Sequence, residues 1–157
     1  MRPFLMSCLL VVLLTVAFAG TSAAATPSQA DKAAAICQSE TKAVDHWAAL
    51  VARSAKDRAA GTRELAGIVQ RLGDGLAKVT PPASQRAKWQ QVVKGLLSAA
   101  SGLRAGAALD TGPMINKPMA RKVVDAVAQI ETAKELLSQL YLYPCETVTL
   151  NILSEFE

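Results

Sequence analysis

The sequence predicts an all-α protein: an antiparallel up-down four-helix bundle with one disulfide, preceded by a cleaved signal peptide. Three observations support this fold class. Hydrophobic residues make up 51% of the chain, yet aromatic residues make up only 4% and alanine, the best helix former, is abundant. Apolar residues recur at alternating spacings of three and four, which places them on one side of a helix. Proline and glycine divide the chain into four such segments, and short breaks join antiparallel neighbours in bundles.

Residues 1–25 have the pattern of a signal peptide. An N-terminal arginine precedes an apolar stretch from Phe4 to Ala19, which is shorter than the ~20 residues needed to span a bilayer. Small residues suited to cleavage follow, and an uncleaved anchor is the alternative. We therefore expect an exported protein, in the periplasm or outside the cell. Its mature part, residues 26–157, should form a single domain with no stable membrane span.

Two cysteines remain after cleavage and are expected to form a disulfide. The signal peptide contains Cys8, which leaves Cys37 and Cys145. An oxidising compartment favours a bond between them, and two free thiols are the alternative. The bond would close a loop of residues 38–144, and the chain-entropy model gives a loop of this length roughly 4 to 5 kcal/mol of stabilisation.

The first two helices are predicted from Asp31 to Arg58 and from Arg63 to Val79. Gly61-Thr62 separates them, with Thr62 as the N-cap residue. A continuous helix through this point is the alternative. The apolar stripe of the first helix consists of Ala33, Ile36, Ala43, Val44, Trp47, Leu50 and Val51, and that of the second of Leu65, Ile68, Leu72, Leu76 and Val79.

The third helix is predicted from Ala83 to Leu109, after the break at Thr80-Pro81-Pro82. Beside its apolar stripe runs a strip of small residues: Gly95, Ala99, Gly102 and Gly106. Small residues let another helix backbone come close, so this strip should pack on a helix within the bundle or across a homodimer. A loop over residues 110–117 follows and is expected to expose Met114 and Ile115.

The fourth helix is predicted from Pro118 to Tyr143. Pro118 suits a first helical position, and Pro144 is expected to end the helix because the residue before a proline avoids helical angles. Beyond Cys145, apolar and polar residues alternate from Val148 to Ile152, which is a strand-like period. A lone strand has no partner in this chain, so an extended tail packed on the bundle is expected.

No motif for catalysis, a metal or a cofactor stands out. His46 is the single histidine, so the sequence cannot supply the paired Glu-x-x-His motifs of di-iron bundles, and a structural zinc site lacks ligands. The haem attachment motif is absent too. His46 lies at the edge of the apolar stripe of the first helix, where it is expected to be a surface residue. We predict no enzyme activity, no bound cofactor and no nucleic-acid partner.

Glu40 is a polar residue within the apolar stripe of the first helix. If the first and fourth helices are antiparallel, it lies level with the end of the fourth helix, where Tyr141 and Tyr143 could donate hydrogen bonds to it. The hypothesis is a polar ligand contact at the disulfide end. The alternative is that Glu40 reaches water near a bundle end.

Charge is distributed unevenly along the chain. Residues 53–122 contain 13 basic and 4 acidic residues, a net charge of +9, whereas residues 123–157 contain 1 basic and 6 acidic residues, a net charge of −5. Such asymmetry indicates a binding surface, unless the two regions neutralise each other within the fold. The candidate basic surface consists of Arg63, Arg71, Lys78, Arg86, Lys88 and Lys94.

Together these patterns predict a small exported helical protein that binds a partner. The leading hypothesis is an interaction module in the cell envelope or outside the cell, whose basic surface binds an anionic envelope component or an acidic protein. The alternative is a carrier that holds a small hydrophobic ligand or cofactor between its helices. A homodimer is compatible with both.

Overall fold

A computed structural model describes residues 27–53, 58–110 and 116–156. This part of the chain is all-helical and contains no strand, which confirms the predicted class. The predicted signal peptide and the Met114-Ile115 segment lie outside the described residues. The helices are α1 (Gln29–Arg53), α2 (Arg58–Ala77), α3 (Arg86–Ala108), α4 (Lys117–Gln139) and α5 (Tyr143–Leu153), and one 3₁₀ turn, Ala83–Gln85, precedes α3.

Helices α1, α2 and α3 run antiparallel to their neighbours in sequence. Arg71 of α2 contacts Glu40 early in α1, whereas Gly61, in the first turn of α2, accepts a hydrogen bond from Trp47 later in α1. In the same way, the indole of Trp89 at the start of α3 donates to the carbonyl of Leu76 at the end of α2. The predicted stripe of α2 is buried throughout, because α1 and α3 cover it from both sides.

The small-residue strip of α3 packs on α4, as predicted for a contact within the fold. The backbone of Gly95 lies near the carbonyl of Gln129, that of Gly102 near Lys122, and that of Gly106 near Met119. Residue numbers rise along α3 while those of the contacted residues fall along α4, so these two helices are antiparallel. Alanine and glycine at the contact allow the two backbones to approach closely.

Helix α5 replaces the extended tail that the sequence predicted. It lies parallel to α1, since the Cys37–Cys145 disulfide joins their early turns and the ring of Phe156 lies 6.2 Å from that of Trp47 further along. Among the described residues, α1 packs on α2 and α5 and does not reach α4. The expected antiparallel contact between the first and fourth helices is therefore wrong, because the short α5 lies between them.

The residues from Cys145 to Ile152 fit a helix better than a strand once burial is known. Cys145, Val148, Thr149 and Ile152 are fully buried, at spacings of three and four. Val148 and Ile152 satisfy both periods, which made the sequence ambiguous. The hydroxyl of Thr149 donates to the carbonyls of Cys145 and Glu146, so this polar side chain is satisfied inside its own helix. Pro144 lies in the first turn of α5, where a proline is well tolerated.

The turn between α4 and α5 depends on Tyr141, whose φ of 58° is left-handed. The amide of Leu142 donates to the carbonyl of Leu137, and the amide of Tyr141 donates to Ser138. This pair of bonds is a Schellman motif, in which the left-handed position is usually glycine. Helix α4 therefore ends at Gln139, earlier than predicted, and the chain reverses within three residues.

The predicted boundary at Gly61-Thr62 is wrong, because α2 begins at Arg58 and runs through both residues. The hydrogen bond of 2.9 Å from the indole of Trp47 to the carbonyl of Gly61 ties this turn to α1. Glycine weakens a helix by only about 1 kcal/mol relative to alanine, and tertiary contacts can override such a preference. The alternative, one continuous helix that joins the first two predicted helices, is also wrong, because α1 and α2 are separate and antiparallel.

Helix α1 begins two residues earlier than predicted. Ser28 precedes its first turn, and its hydroxyl accepts a hydrogen bond from the amide of Asp31 while the Asp31 carboxylate accepts from the Ser28 amide and hydroxyl. These reciprocal bonds resemble a capping box, with Asp in place of Glu. The side-chain and backbone hydrogen bonds from Ser28 lower the pKa of Asp31.

Candidate functional site

The Cys37–Cys145 disulfide is confirmed and is buried in the core. The two Cα atoms lie 4.9 Å apart, and neither residue is exposed to solvent. Cys37 lies in the third turn of α1, and Cys145 in the first turn of α5. The bond therefore fixes α5 to α1 and closes a covalent loop around α2, α3 and α4.

Glu40 binds Arg71, not the tyrosines. The Arg71 guanidinium donates from Nε and Nη2 to both carboxylate oxygens, and the shortest contact is 2.8 Å. The Glu40 side chain is only 12% exposed, so the arginine supplies the partner that a nearly buried carboxylate needs. The hydrogen bonds that Arg71 donates to Glu40 raise the pKa of Arg71. Glu40 thus joins α1 to α2, and its expected contact with Tyr141 and Tyr143 is corrected.

Tyr141 and Tyr143 form an exposed aromatic pair at the α4–α5 turn. Their ring centroids lie 6.4 Å apart at an interplanar angle of 74°, an edge-to-face arrangement. Tyr141 is 73% exposed and Tyr143 is 58% exposed. Most of both rings therefore faces solvent, even though aromatic side chains usually contribute to a core. The sequence grouped these tyrosines with Glu40, whereas the structure exposes them to solvent.

All six cations of the candidate basic surface are exposed. Among the described residues, ion pairs join Arg71 to Glu40 and Arg58 to Asp110. None of the other five candidates forms an ion pair with another described residue. These five cations are Arg63, Lys78, Arg86, Lys88 and Lys94.

Lys88 lies apart from the other cations of α3. It is about 20° from Gly95 around the helix, on the side that packs on α4. Arg86, by contrast, lies within about 20° of Leu97, which packs against Gly73 of α2. The structure therefore groups Arg86 with the cations of α2 and places Lys88 on another side, whereas Lys94 lies between the two sides, about 80° around the helix from Arg86.

Arg104 belongs to this surface and was missed from the sequence. It is exposed and donates a hydrogen bond to Gln70 of α2, and Gln70 in turn donates to Asp74. Its spacing could have revealed it. Arg104 follows Arg86 by about five full helical turns, so both residues lie on the same side of α3. We define the basic face as Arg63, Arg71, Lys78, Arg86, Lys94 and Arg104.

Three carboxylates of the C-terminal region lie on α4 and α5 and are at least partly exposed. Glu131 and Glu135 are exposed one turn apart on α4, and Glu146 is half-buried in the first turn of α5. None of the three forms an ion pair with another described residue. We define the acidic–aromatic face as Glu131, Glu135, Tyr141, Tyr143 and Glu146. Lys134, half-buried, is the single cation of residues 123–157.

The two faces do not neutralise each other within one molecule. Helix α2, which carries Arg63 and Arg71 of the basic face, contacts neither α4 nor α5 among the described residues. The ion pairs identified in this part of the chain use Glu40 and Asp110, and neither uses a carboxylate of residues 123–156. The charge asymmetry of the sequence therefore persists on the folded surface.

Three further features bear on small ligands and membranes. His46 is exposed on α1, in agreement with a surface position. In the described ranges, no group of three His, Cys, Asp or Glu side chains is arranged to hold a metal ion. No helix of this same part combines the length and the hydropathy needed to cross a bilayer.

Comparison with protein-family models, with curated proteins and with solved structures found no match to this chain. The candidate surfaces are therefore interpreted from their own geometry and charge.

Proposed function

We propose that this chain is a small exported interaction module, active in the cell envelope or outside the cell, whose basic face binds an anionic partner. The proposal includes cleavage of residues 1–25 and export. Within the helices, α1 to α4 form the up-down bundle, and α5 closes it against α1. The protein acts by binding and not by catalysis.

One observation carries the proposal: most of the exposed cations of the basic face form no ion pair with another described residue. Of the basic face, only Arg71 is engaged in an ion pair with a described carboxylate, and Arg104 donates to a neutral amide. The cations converge on the outer surface of two neighbouring helices, although Asp74 lies among them. A cluster of like charges helps to keep a protein soluble, and it attracts partners of opposite sign.

The test uses a triple reversal of exposed cations, Arg63→Glu, Lys78→Glu and Lys94→Glu. Arg71 is left unchanged, because its reversal would set a second carboxylate against Glu40. The matched control reverses three exposed lysines outside the basic face: Lys32→Glu, Lys42→Glu and Lys117→Glu. Both variants change the net charge equally, and both should keep the helical content of the wild type.

Affinity capture from native envelope extract, followed by mass spectrometry of proteins and small molecules, provides the readout. We expect the wild type and the control to retain an acidic partner that the triple reversal loses. Retention should also fall as salt rises, because screening shortens the range of charge interactions from ~10 Å at 0.1 M to ~3 Å at 1 M. Capture that is indifferent to salt and to the triple reversal would refute the proposal. A hydrophobic molecule that copurifies with every variant would instead support the carrier.

A further inference from the structure

We infer that the anionic partner of the basic face is the acidic–aromatic face of a second copy of this chain, so that the molecules associate head to tail. This inference rests on the proposed function, because it uses the same basic face. Two independent features support it: charges of opposite sign on different helices that form no ion pair with another described residue, and a tyrosine pair that lies mostly in solvent.

The tyrosine pair is the clearest sign that the acidic–aromatic face binds something. Tyr141 occupies the left-handed position of the α4–α5 turn, where glycine is favoured and a side chain is strained. Its ring lies mostly in solvent, so the residue gains little from burial to offset that strain. Strained residues persist at positions where they serve a function.

The chemistry of this face suits a partner that presents arginine and lysine. Tyrosine rings attract a guanidinium or ammonium group placed over their faces. Glu131 and Glu135 are exposed on the neighbouring helix, and Glu146 lies three residues beyond Tyr143. An arginine that stacks on Tyr141 could therefore meet a carboxylate as well, and Arg63 and Arg104 of the basic face are suitable donors.

The positions of the two faces determine the mode of association. An isologous dimer through either face would set like charges against each other, which is unfavourable. The basic face of one molecule and the acidic–aromatic face of another are complementary in sign. Arg63 and Arg71 lie on α2, which contacts neither α4 nor α5 among the described residues, so this part of the basic face stays accessible when the acidic–aromatic face of the same molecule is occupied. The contact is thus heterologous and can extend into chains or close into a ring.

The experiment compares the self-association of the wild type with that of two neutralised variants. The basic-face variant carries Arg63→Gln, Lys78→Gln and Lys94→Gln. The acidic-face variant carries Glu131→Gln, Glu135→Gln and Tyr141→Gly, and the glycine relieves the left-handed strain, so this variant should fold at least as well as the wild type. Circular dichroism checks the fold of each, and sedimentation velocity follows association at about 20 mM and about 1 M salt.

We expect the wild type to associate with rising concentration at low salt and to dissociate at high salt. Each variant alone should associate at least about tenfold more weakly, since it loses several exposed contacts. An equimolar mixture of the two variants should form a heterodimer that stops at two molecules, because only one intact face of each remains.

Each other outcome is informative. A wild type that stays monomeric at low salt and high concentration overturns the inference. Wild-type association without dimers in the mixture overturns it too, because the two faces then do not bind each other. If the wild type is monomeric while the triple reversal still abolishes capture of an envelope partner, the proposed function stands and only the second copy as partner is rejected.

Discussion

The α3–α4 pair and the α1–α5 pair are held together by different means. Helices α3 and α4 have 23 residues each and pack antiparallel, with the backbone of Gly102 close to that of α4. Helix α5 has only 11 residues and lies parallel to α1, and the disulfide joins the two. A long, close interface can hold two helices by packing alone. The covalent bond is therefore placed where the interface is short.

The largest change in the free energy of unfolding should follow loss of the disulfide. Cys37→Ala with Cys145→Ala, or reduction of the wild type, should lower the free energy of unfolding by roughly 4 to 5 kcal/mol, because the unfolded chain is no longer constrained. Denaturant unfolding with and without reductant measures this change. Hydrogen exchange should increase most in α5 and least in the α3–α4 pair. Equal increases in both pairs would contradict the comparison.

The next effect should follow overpacking of the α3–α4 contact. A Cβ at Gly102 would lie 3.4 Å from the Cβ of Ala126 and 3.5 Å from the carbonyl oxygen of Lys122, so Gly102→Leu has no room and should cost about 1 to 3 kcal/mol. Gly67→Leu is the matched control, because a Cβ at Gly67 meets only the far end of Arg71. Thermal unfolding of both variants gives the comparison, and equal losses would show that the interface is not tight.

A smaller change, in this case a gain in stability, is expected at the α4–α5 turn, which joins the two helix pairs. Tyr141→Gly should raise the free energy of unfolding by on the order of 1 kcal/mol, because glycine adopts a left-handed φ without strain. The loss of the ring contact with Tyr143 reduces this gain. Tyr143→Gly is the contrasting variant, since it places glycine in the helix α5 and should destabilise. Destabilisation by both changes would mean that the aromatic pair holds the turn.

The smallest effect is expected at the ion pair between α1 and α2. Arg71→Gln should cost up to about 1 kcal/mol, because Arg71 is largely exposed, solvent screens such pairs, and the glutamine amide can still donate a hydrogen bond to the nearly buried Glu40. Arg63→Gln removes a cation of the same helix that has no ion pair with a described residue, so it should cost less. Denaturant unfolding at low and high salt measures both, and the difference between them should shrink at high salt.

The long helices could be predicted from the sequence because their apolar residues recur only at spacings of three and four, which fit a helix and not a strand. In α2, for example, Leu65, Leu72 and Leu76 recur every turn or two and are all buried. The small-residue strip of α3 was also readable, since Gly95, Gly102 and Gly106 align on one side of the helix. The pairing of Cys37 with Cys145 followed from elimination, because no other cysteine remains after residue 25.

The ends of elements and the partners of polar side chains were not predictable, for physical reasons. Val148 and Ile152 fit both a strand and a helix, and only burial of Thr149 distinguishes the two. Tyr141 in a left-handed turn defies the local preference for glycine, so α4 appeared to continue. Because α5 lies between α4 and α1, Glu40 does not contact the end of α4, and its true partner, Arg71, lies 31 residues away in sequence.

The position of the disulfide also decides how the molecule would carry mechanical load. When the chain is pulled from points before Cys37 and after Cys145, the disulfide transmits the force directly from α1 to α5. Residues 38–144, which include α2, α3 and α4, then carry no tension. Stretching an oxidised molecule can unravel only the first turns of α1 and the rest of α5. Reduction would place the whole loop under load and release more than about 300 Å of additional chain, at 3.3–3.6 Å per residue.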